Sequence, residues 1–200
     1  MTLPRLLVVT DRTQAAGPLP EVVAAAVDAG ARAVWLRDRD LPLAERRAVA
    51  ADLRAVLDPV GGLLVWGGAA GAPEGTAVHL TAADPFPAAR PPLVGRSCHS
   101  AAELARAAGE GCDWVTLSPF APTASKPGYG PALGTGGLAA LAPGAPPVLA
   151  LGGVRPGDVP GCLAAGASGV AVMGPAMRDP AVVAAYCAAL AACDTGPTRV

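Results

Sequence analysis

Along this chain, short apolar runs alternate with alanine-rich stretches that have room for a few helical turns. The runs fall at 5–9, 33–36, 62–66, 77–80, 93–96, 114–117, 147–151 and 169–173. Each is four or five residues long and mostly apolar, as parallel strands buried on both faces are. One pattern recurs: "GARAVWL" (30–36), "GCDWVTL" (111–117) and "GASGVAV" (166–172), with a shorter relative in "GTAVHL" (75–80). The first three follow "LPEVVAAAVDA", "AAELARAAGE" and "VPGCLAA". A glycine there ends the helix by taking the left-handed backbone conformation, and the small residue after it packs the turn before the strand begins.

Eight strands alternating with helices predict a (β/α)8 TIM barrel, a single α/β domain over residues 1–190 with a flexible tail at 191–200. An open doubly wound sheet is the alternative arrangement of the same elements. The weakest unit is 66–76, "WGGAAGAPEGT", which leaves little room for a helix. In "HSAAEL", Ser100 and Glu103 are spaced as a capping box, and Asp158 with Pro160 reads as the start of the helix after strand seven.

Composition narrows the functional classes. The 25 glycines and 22 prolines punctuate apolar runs rather than forming a low-complexity segment. A net charge of −1 lacks the basic footprint of a nucleic-acid binder, and no apolar run approaches a membrane span. Five cysteines, an odd number without C-x-x-C spacing, read as reduced, mostly buried thiols of a cytoplasmic protein. Self-association into a homo-oligomer is compatible with the sequence and not specified by it.

In this barrel the chemistry sits where strands end. The residues to examine are therefore Thr10 and Asp11, Arg37 to Arg39, Trp66, Thr81 to Asp84, Ser97, Ser118 onward, Gly152 and Gly153, and Gly174. Gly152 and Gly153 follow strand seven, and Gly174 follows strand eight, the usual phosphate-binding place of the fold. Backbone N–H groups there can approach an anion closely. His79 reads as a strand residue and His99 as a neighbour of the capping box. Trp66 reads as a plug in the barrel mouth. Lys126, in "TASKPGYGP", has the surroundings of a mobile lid that contacts an anion.

These segments together resemble the thiamine phosphate synthase and thiazole tautomerase (TenI-type) family, from about residue 6 to 180. "LLVVTDR" is similar to its first strand and "WLRDRDL" to its Q-L-R-E-K-D segment. "AVHLTAAD", "GRSCHSAAELARA" and "LSPFAPTASKPG" are similar to its middle segments, and "VLALGGVRP" and "AAGASGVAVMGPA" to its closing motifs. The resemblance implies a barrel that binds a thiazole phosphate. In a synthase this is joined to hydroxymethylpyrimidine diphosphate with release of pyrophosphate, helped by Mg²⁺ and basic side chains; a tautomerase moves a proton on the thiazole ring and needs no cofactor. Carried over by position, Arg37 and Arg39 hold diphosphate oxygens, Asp84 binds Mg²⁺, and Ser97 lies near the diphosphate. Ser125 and Lys126 belong to the loop, Gly152, Gly153 and Gly174 to the thiazole-phosphate cradle, and Ser118 stands at the tautomerase acid/base position. Arg37, Lys126 and Ser118 are the candidate catalytic residues.

The departures are specific. "WGG" (Trp66, Gly67, Gly68) replaces N-D-R, removing the asparagine and a second Mg²⁺-binding aspartate. Trp35 replaces a glutamine, and Ser118 is a weak base. A non-catalytic thiazole-phosphate binder and another phosphate-barrel enzyme are the rival readings. The second would need carboxylate, histidine or cysteine pairs that the sequence does not display.

Overall fold

The computed structural model describes residues 3–122 and 131–194. Eight parallel strands close into a barrel in chain order. They are β1 (Leu6–Val9), β2 (Ala33–Leu36), β3 (Leu63–Gly67), β4 (Ala77–Leu80), β5 (Val94–Cys98), β6 (Trp114–Leu117), β7 (Val148–Leu151) and β8 (Gly169–Val172). The seam is sealed by β1 on β8, with Leu6 opposite Val170 and Val8 opposite Val172. The open-sheet alternative is thereby excluded.

Among the described residues, seven α-helices accompany the strands: α1 (Leu19–Asp28), α2 (Leu43–Leu57), α3 (Ala101–Gly109), α4 (Gly134–Leu141), α5 (Val159–Ala164), α6 (Gly174–Arg178) and α7 (Val182–Asp194). No helix separates β3 from β4, as the 66–76 stretch predicts, and none separates β4 from β5. The second omission has its own cause. Pro85, Pro87, Pro91 and Pro92 lie in that connection, and each removes a backbone donor and restricts its neighbour. Helix α7 extends through 191–194, residues that the sequence assigns to the tail.

The repeated glycine pattern is one turn used three times. Gly30, Gly111 and Gly166 all have positive φ, and the next amide reaches back to close the helix end: Ala31 to Ala26, Cys112 to Ala107, Ala167 to Cys162. That six-residue closure satisfies a carbonyl that would otherwise be orphaned, and it turns the chain into the following strand. At α3, Ser100 caps the start by accepting from the Glu103 amide (3.3 Å), while Glu103 returns to the His99 amide (2.5 Å) rather than to Ser100 itself. Asp158 stands at the N-cap of α5 without capping it. Its carboxylate turns back to the Arg155 amide (2.8 Å).

Alternate strand residues divide between two cores. Val8, Val34, Leu36, Val78, Val115 and Val170 face the helices, whereas Leu7, Val9, Trp35, Val65, Trp114 and Leu149 fill the barrel. Trp66 belongs to the outer set. It is fully buried under the helix layer, its indole N–H donates to Ala70 (3.1 Å), and the Arg46 guanidinium lies 4.0 Å from its ring centre. The expectation that Trp66 plugs the barrel mouth is therefore overturned, because its place in β3 points outward.

One of the two inner tryptophans is Trp35. Its ring centre lies 4.0 Å from that of His79, which in turn lies 5.7 Å from that of Trp114. Glycine admits these rings. A Cβ on Gly95 would lie 2.1 Å from Trp114 Cε2 and 2.5 Å from His79 Nδ1, and one on Gly67 would lie 3.1 Å from Trp35 Nε1. His79 Nε2 is 3.2 Å from both Ser97 Oγ and Thr116 Oγ1. Complete burial, reinforced by repulsion from Arg96, lowers the His79 pKa to about 3, so the ring is neutral at pH 7.

Two outcomes follow from this interior. Gly95→Ala destabilises the fold by about 1–3 kcal/mol through overpacking, read as a lower urea midpoint, while Gly17→Ala, with open space around it, leaves the midpoint unchanged. For His79, the folded pKa lies below the ordinary value of 6.5. Its contribution to stability is therefore complete above pH 6.5 and is withdrawn as pH falls from 6.5 toward 3, where the unfolded chain takes up the proton first. Urea midpoints across that range should drop more for the natural chain than for His79→Asn.

Candidate functional site

At the C-terminal ends of the strands lies a cavity of about 850 Å³. On its β2 side the chain alternates between structural and site residues. Asp38 is buried, accepting from the Thr10 hydroxyl (2.5 Å) and the Arg12 amide (2.8 Å), and this locks the ends of β1 and β2 together. Its neighbours Arg37 and Arg39 consequently project toward the cavity. Arg37 reaches Asp11 (3.8 Å) and the sulfur of Met173 (3.5 Å), and so spans from β2 toward the loop after β8.

On the opposite side, Gly152 and Gly153 have φ of +90° and +70°. The turn they make lies against the loop after β6: the Phe120 amide donates to Leu151, and the Ala121 amide to Gly152. A Cβ on Gly153 would come within 2.7 Å of the carbonyl oxygens of Ala121 and Pro122, so no other residue fits without movement. Gly174 opens α6, and a Cβ there would meet Arg178 Nη1 at 2.8 Å and Gln14 Oε1 at 3.0 Å.

Arg37, Arg39, Ser97, Ser118, Gly152, Gly153 and Gly174 all line this one cavity. Ser125 and Lys126 lie outside the described residues. Asp84 does not line the cavity, although Thr81, Ala82 and Ala83 beside it do. The cavity also gathers arginines that motif reading passes over: Arg12, Arg155 and Arg178. Arg178 could have been found by position, since it stands one helical turn beyond Gly174 and bonds Gln14 across the mouth (2.9 Å).

Ser118 has a histidine partner. His99 Nδ1 lies 3.2 Å from its hydroxyl and 2.9 Å from its carbonyl oxygen. Both residues line the cavity, so an imidazole from the end of β5 stands beside the end of β6. Nothing local in the sequence joins them, because they come together only through the β5–β6 pairing.

The carboxylates of the rim are engaged. Asp84 Oδ2 accepts from the Thr81 amide (3.0 Å) and from Arg39 Nη1 (3.1 Å), and Oδ1 faces Arg39 Nη2 at 3.4 Å. Partial burial pushes its pKa up, but the Thr81 and Arg39 bonds outweigh it and hold the carboxyl below the usual range. Asp40 is also held low, chiefly by its bond to Arg12 (2.6 Å). Asp11 accepts from the Thr13 hydroxyl (2.6 Å) and the Gln14 amide group (2.7 Å). A hard divalent cation needs several oxygen ligands converging on one point. Among the described residues no group of three His, Cys, Asp or Glu side chains converges in that way. With glycine at 67 and Asp84 closed around Arg39, the residues present do not fit the Mg²⁺ site that the resemblance implies.

Among the described residues, no helix is long and apolar enough to cross a membrane. A family profile described as thiamine monophosphate synthase matches residues 6–175. A protein of Geobacter sulfurreducens, provisionally named a thiamine-phosphate synthase, is 38% identical over 190 residues, 88% of this chain and 87% of its own. The thiamine-phosphate synthase of Methanoculleus marisnigri is 37% identical over 194 residues, 90% of each chain. The solved thiamine phosphate pyrophosphorylase of Pyrococcus furiosus shares the fold at a TM-score of 0.80, with 23% identity over 94% of this chain and 96% of its own. A barrel closed in chain order, glycine turns after β7 and β8, and relatives matched along most of their length agree: the chain belongs to the thiamine monophosphate synthase family.

Proposed function

We propose that this barrel joins a thiazole phosphate to hydroxymethylpyrimidine diphosphate, releasing pyrophosphate. The observation that carries the reading is the division of one cavity between two kinds of anion contact, glycine turns at β7–β8 and arginines at β2. The thiazole phosphate fits the glycine side, where main-chain amides can approach a dianion and the Arg178 guanidinium stands beside Gly174. The diphosphate fits the Arg37 and Arg39 side, where guanidinium forks match phosphate oxygens. In the reaction the bond from the pyrimidine methylene carbon to the diphosphate oxygen breaks, and its electron pair leaves with pyrophosphate. The thiazole nitrogen lone pair then forms the new carbon–nitrogen bond. Charge growing on the leaving oxygens is what Arg37 and Arg39 stabilise. The names of the aligned relatives support the same reaction.

A second reading has one specific observation in its favour. The imidazole of His99 beside Ser118 supplies an ionisable group at the acid/base position of a thiazole tautomerase. With Nδ1–H donated to the Ser118 carbonyl, the lone pair sits on Nε2, as proton transfer requires.

Three measurements separate these readings. Thiamine phosphate should form from the two substrates, followed by chromatography, and Arg37→Ala should lower kcat/KM by about a hundred-fold. Calorimetry should detect thiazole phosphate binding that Gly153→Ala weakens. Absence of both product and binding sinks the proposal. With thiazole phosphate alone in deuterated water, exchange into the ring that is lost in His99→Asn would instead establish the tautomerase reading.

A further inference from the structure

The two glycines that replace side chains at the end of β3 are filled from outside the strand. A Cβ on Gly67 would lie 2.7 Å from Arg46 Nη2, and a Cβ on Gly68 would lie 3.3 Å from the central carbon of the Arg39 guanidinium. Arg46 arrives from α2, is 5% exposed, and donates from Nη2 to the carbonyls of Leu36 (2.9 Å) and Gly67 (2.8 Å) at the ends of β2 and β3. Its bonds go to carbonyl oxygens and its face to Trp66, so no carboxylate neutralises it by contact. Arg39 arrives from the loop after β2 and closes on Asp84. Two guanidinium groups and one carboxylate thus occupy the quarter of the rim where two carboxylates would hold a divalent cation.

The charge balance follows. A metal with two carboxylates is locally neutral before substrate arrives, whereas two guanidinium groups with one carboxylate carry a net positive charge. Of the remaining rim carboxylates, Asp40 is paired with the Arg12 side chain, while Asp38, held by the Thr10 hydroxyl and the Arg12 amide, keeps its charge and favours the charged form of Arg46. Around the cavity as a whole, Arg12, Arg37, Arg39, Arg155 and Arg178 outnumber Asp11, Asp38 and Asp40. A divalent cation approaching this quarter meets like charge at short range and no vacant carboxylate, while a polyanion meets attraction. Arg39 spends two of its N–H groups on Asp84, leaving three for an anion.

We infer that the β2–β3 end of the cavity is a metal-independent diphosphate site, in which Arg39, backed by buried Arg46, does the charge compensation otherwise left to a divalent cation. The inference rests on the proposed function for the identity of the natural ligand, a diphosphate ester. The site itself can be tested with inorganic pyrophosphate alone. Arg39 contacts the anion; Arg46 acts through its field and by fixing the ends of β2 and β3.

The experiment is calorimetric titration of the full chain with inorganic pyrophosphate, once with a chelator and once with Mg²⁺ in excess. Binding is expected in chelator with an affinity at least equal to that in Mg²⁺, and Arg39→Ala should weaken it about ten-fold or more, the loss of a charge-assisted bond. Arg39→Lys, which keeps the charge, should recover part of that loss. Arg46→Met tests the buried charge where its melting curve shows a folded protein; where it does not fold, the Arg39 variants decide. Binding only when Mg²⁺ is present, or affinity unchanged in Arg39→Ala, overturns the inference. The proposed reaction fails separately. Pyrophosphate bound in chelator without any thiamine phosphate formed removes the reaction and keeps the site; product formed only with Mg²⁺ alongside Mg²⁺-dependent pyrophosphate binding does the opposite.

Discussion

A cylinder of eight parallel strands exists only if the space inside it is filled, and this chain fills it by setting large rings against missing side chains. Trp35, His79 and Trp114 are admitted by Gly67 and Gly95. The packing explains why a histidine can sit neutral in the middle of a barrel: aromatic rings and hydroxyls surround it, and solvation of a charge is absent. It also fixes the floor of the cavity, because Trp35 and His79 line it from below. Site and core are therefore one packing problem, and a change in either is felt in the other.

Above that floor, the rim distributes charge by consistent pairing. Each carboxylate bordering the cavity is bonded to an amide, a hydroxyl or an arginine, and each spends its charge on holding a loop in place. The arginines are less completely spent. Arg37 is only loosely paired to Asp11, and Arg46 is not paired to a carboxylate by contact. Among the described residues lining the cavity, permanent positive charge exceeds negative, with five arginines to three aspartates.

Much of this was legible in the sequence, for identifiable reasons. The strands stood out because a buried parallel strand is apolar on both faces, and the glycine before β2, β6 and β8 marks a turn that only a left-handed residue makes cheaply. The same double burial hid the phase of the alternation. "LLVW" gives no sign of which residues face inward, so the sequence points Trp66 to the mouth although it packs under helices. Pairings across distance were invisible too. His99 meets Ser118, Arg39 meets Asp84, and Arg46, which reads as one more charge on a helix, crosses to the ends of β2 and β3. That Gly152, Gly153, Gly174 and Arg37 line one cavity is legible in advance because their positions depend on strand ends alone.

The connection between β4 and β5, where four prolines displace a helix, has a consequence for the rim. Its carbonyls at Thr81, Ala82 and Asp84 are held from the outer side by Arg96 and Arg106, and both arginines are gathered by Glu110 at the far end of α3. A single acidic residue, remote from the mouth and sharing no contact with it, thereby works as the anchor bolt of the segment that presents Asp84 to Arg39. Drift among related chains at position 110 would loosen that segment while every residue of the mouth stayed the same.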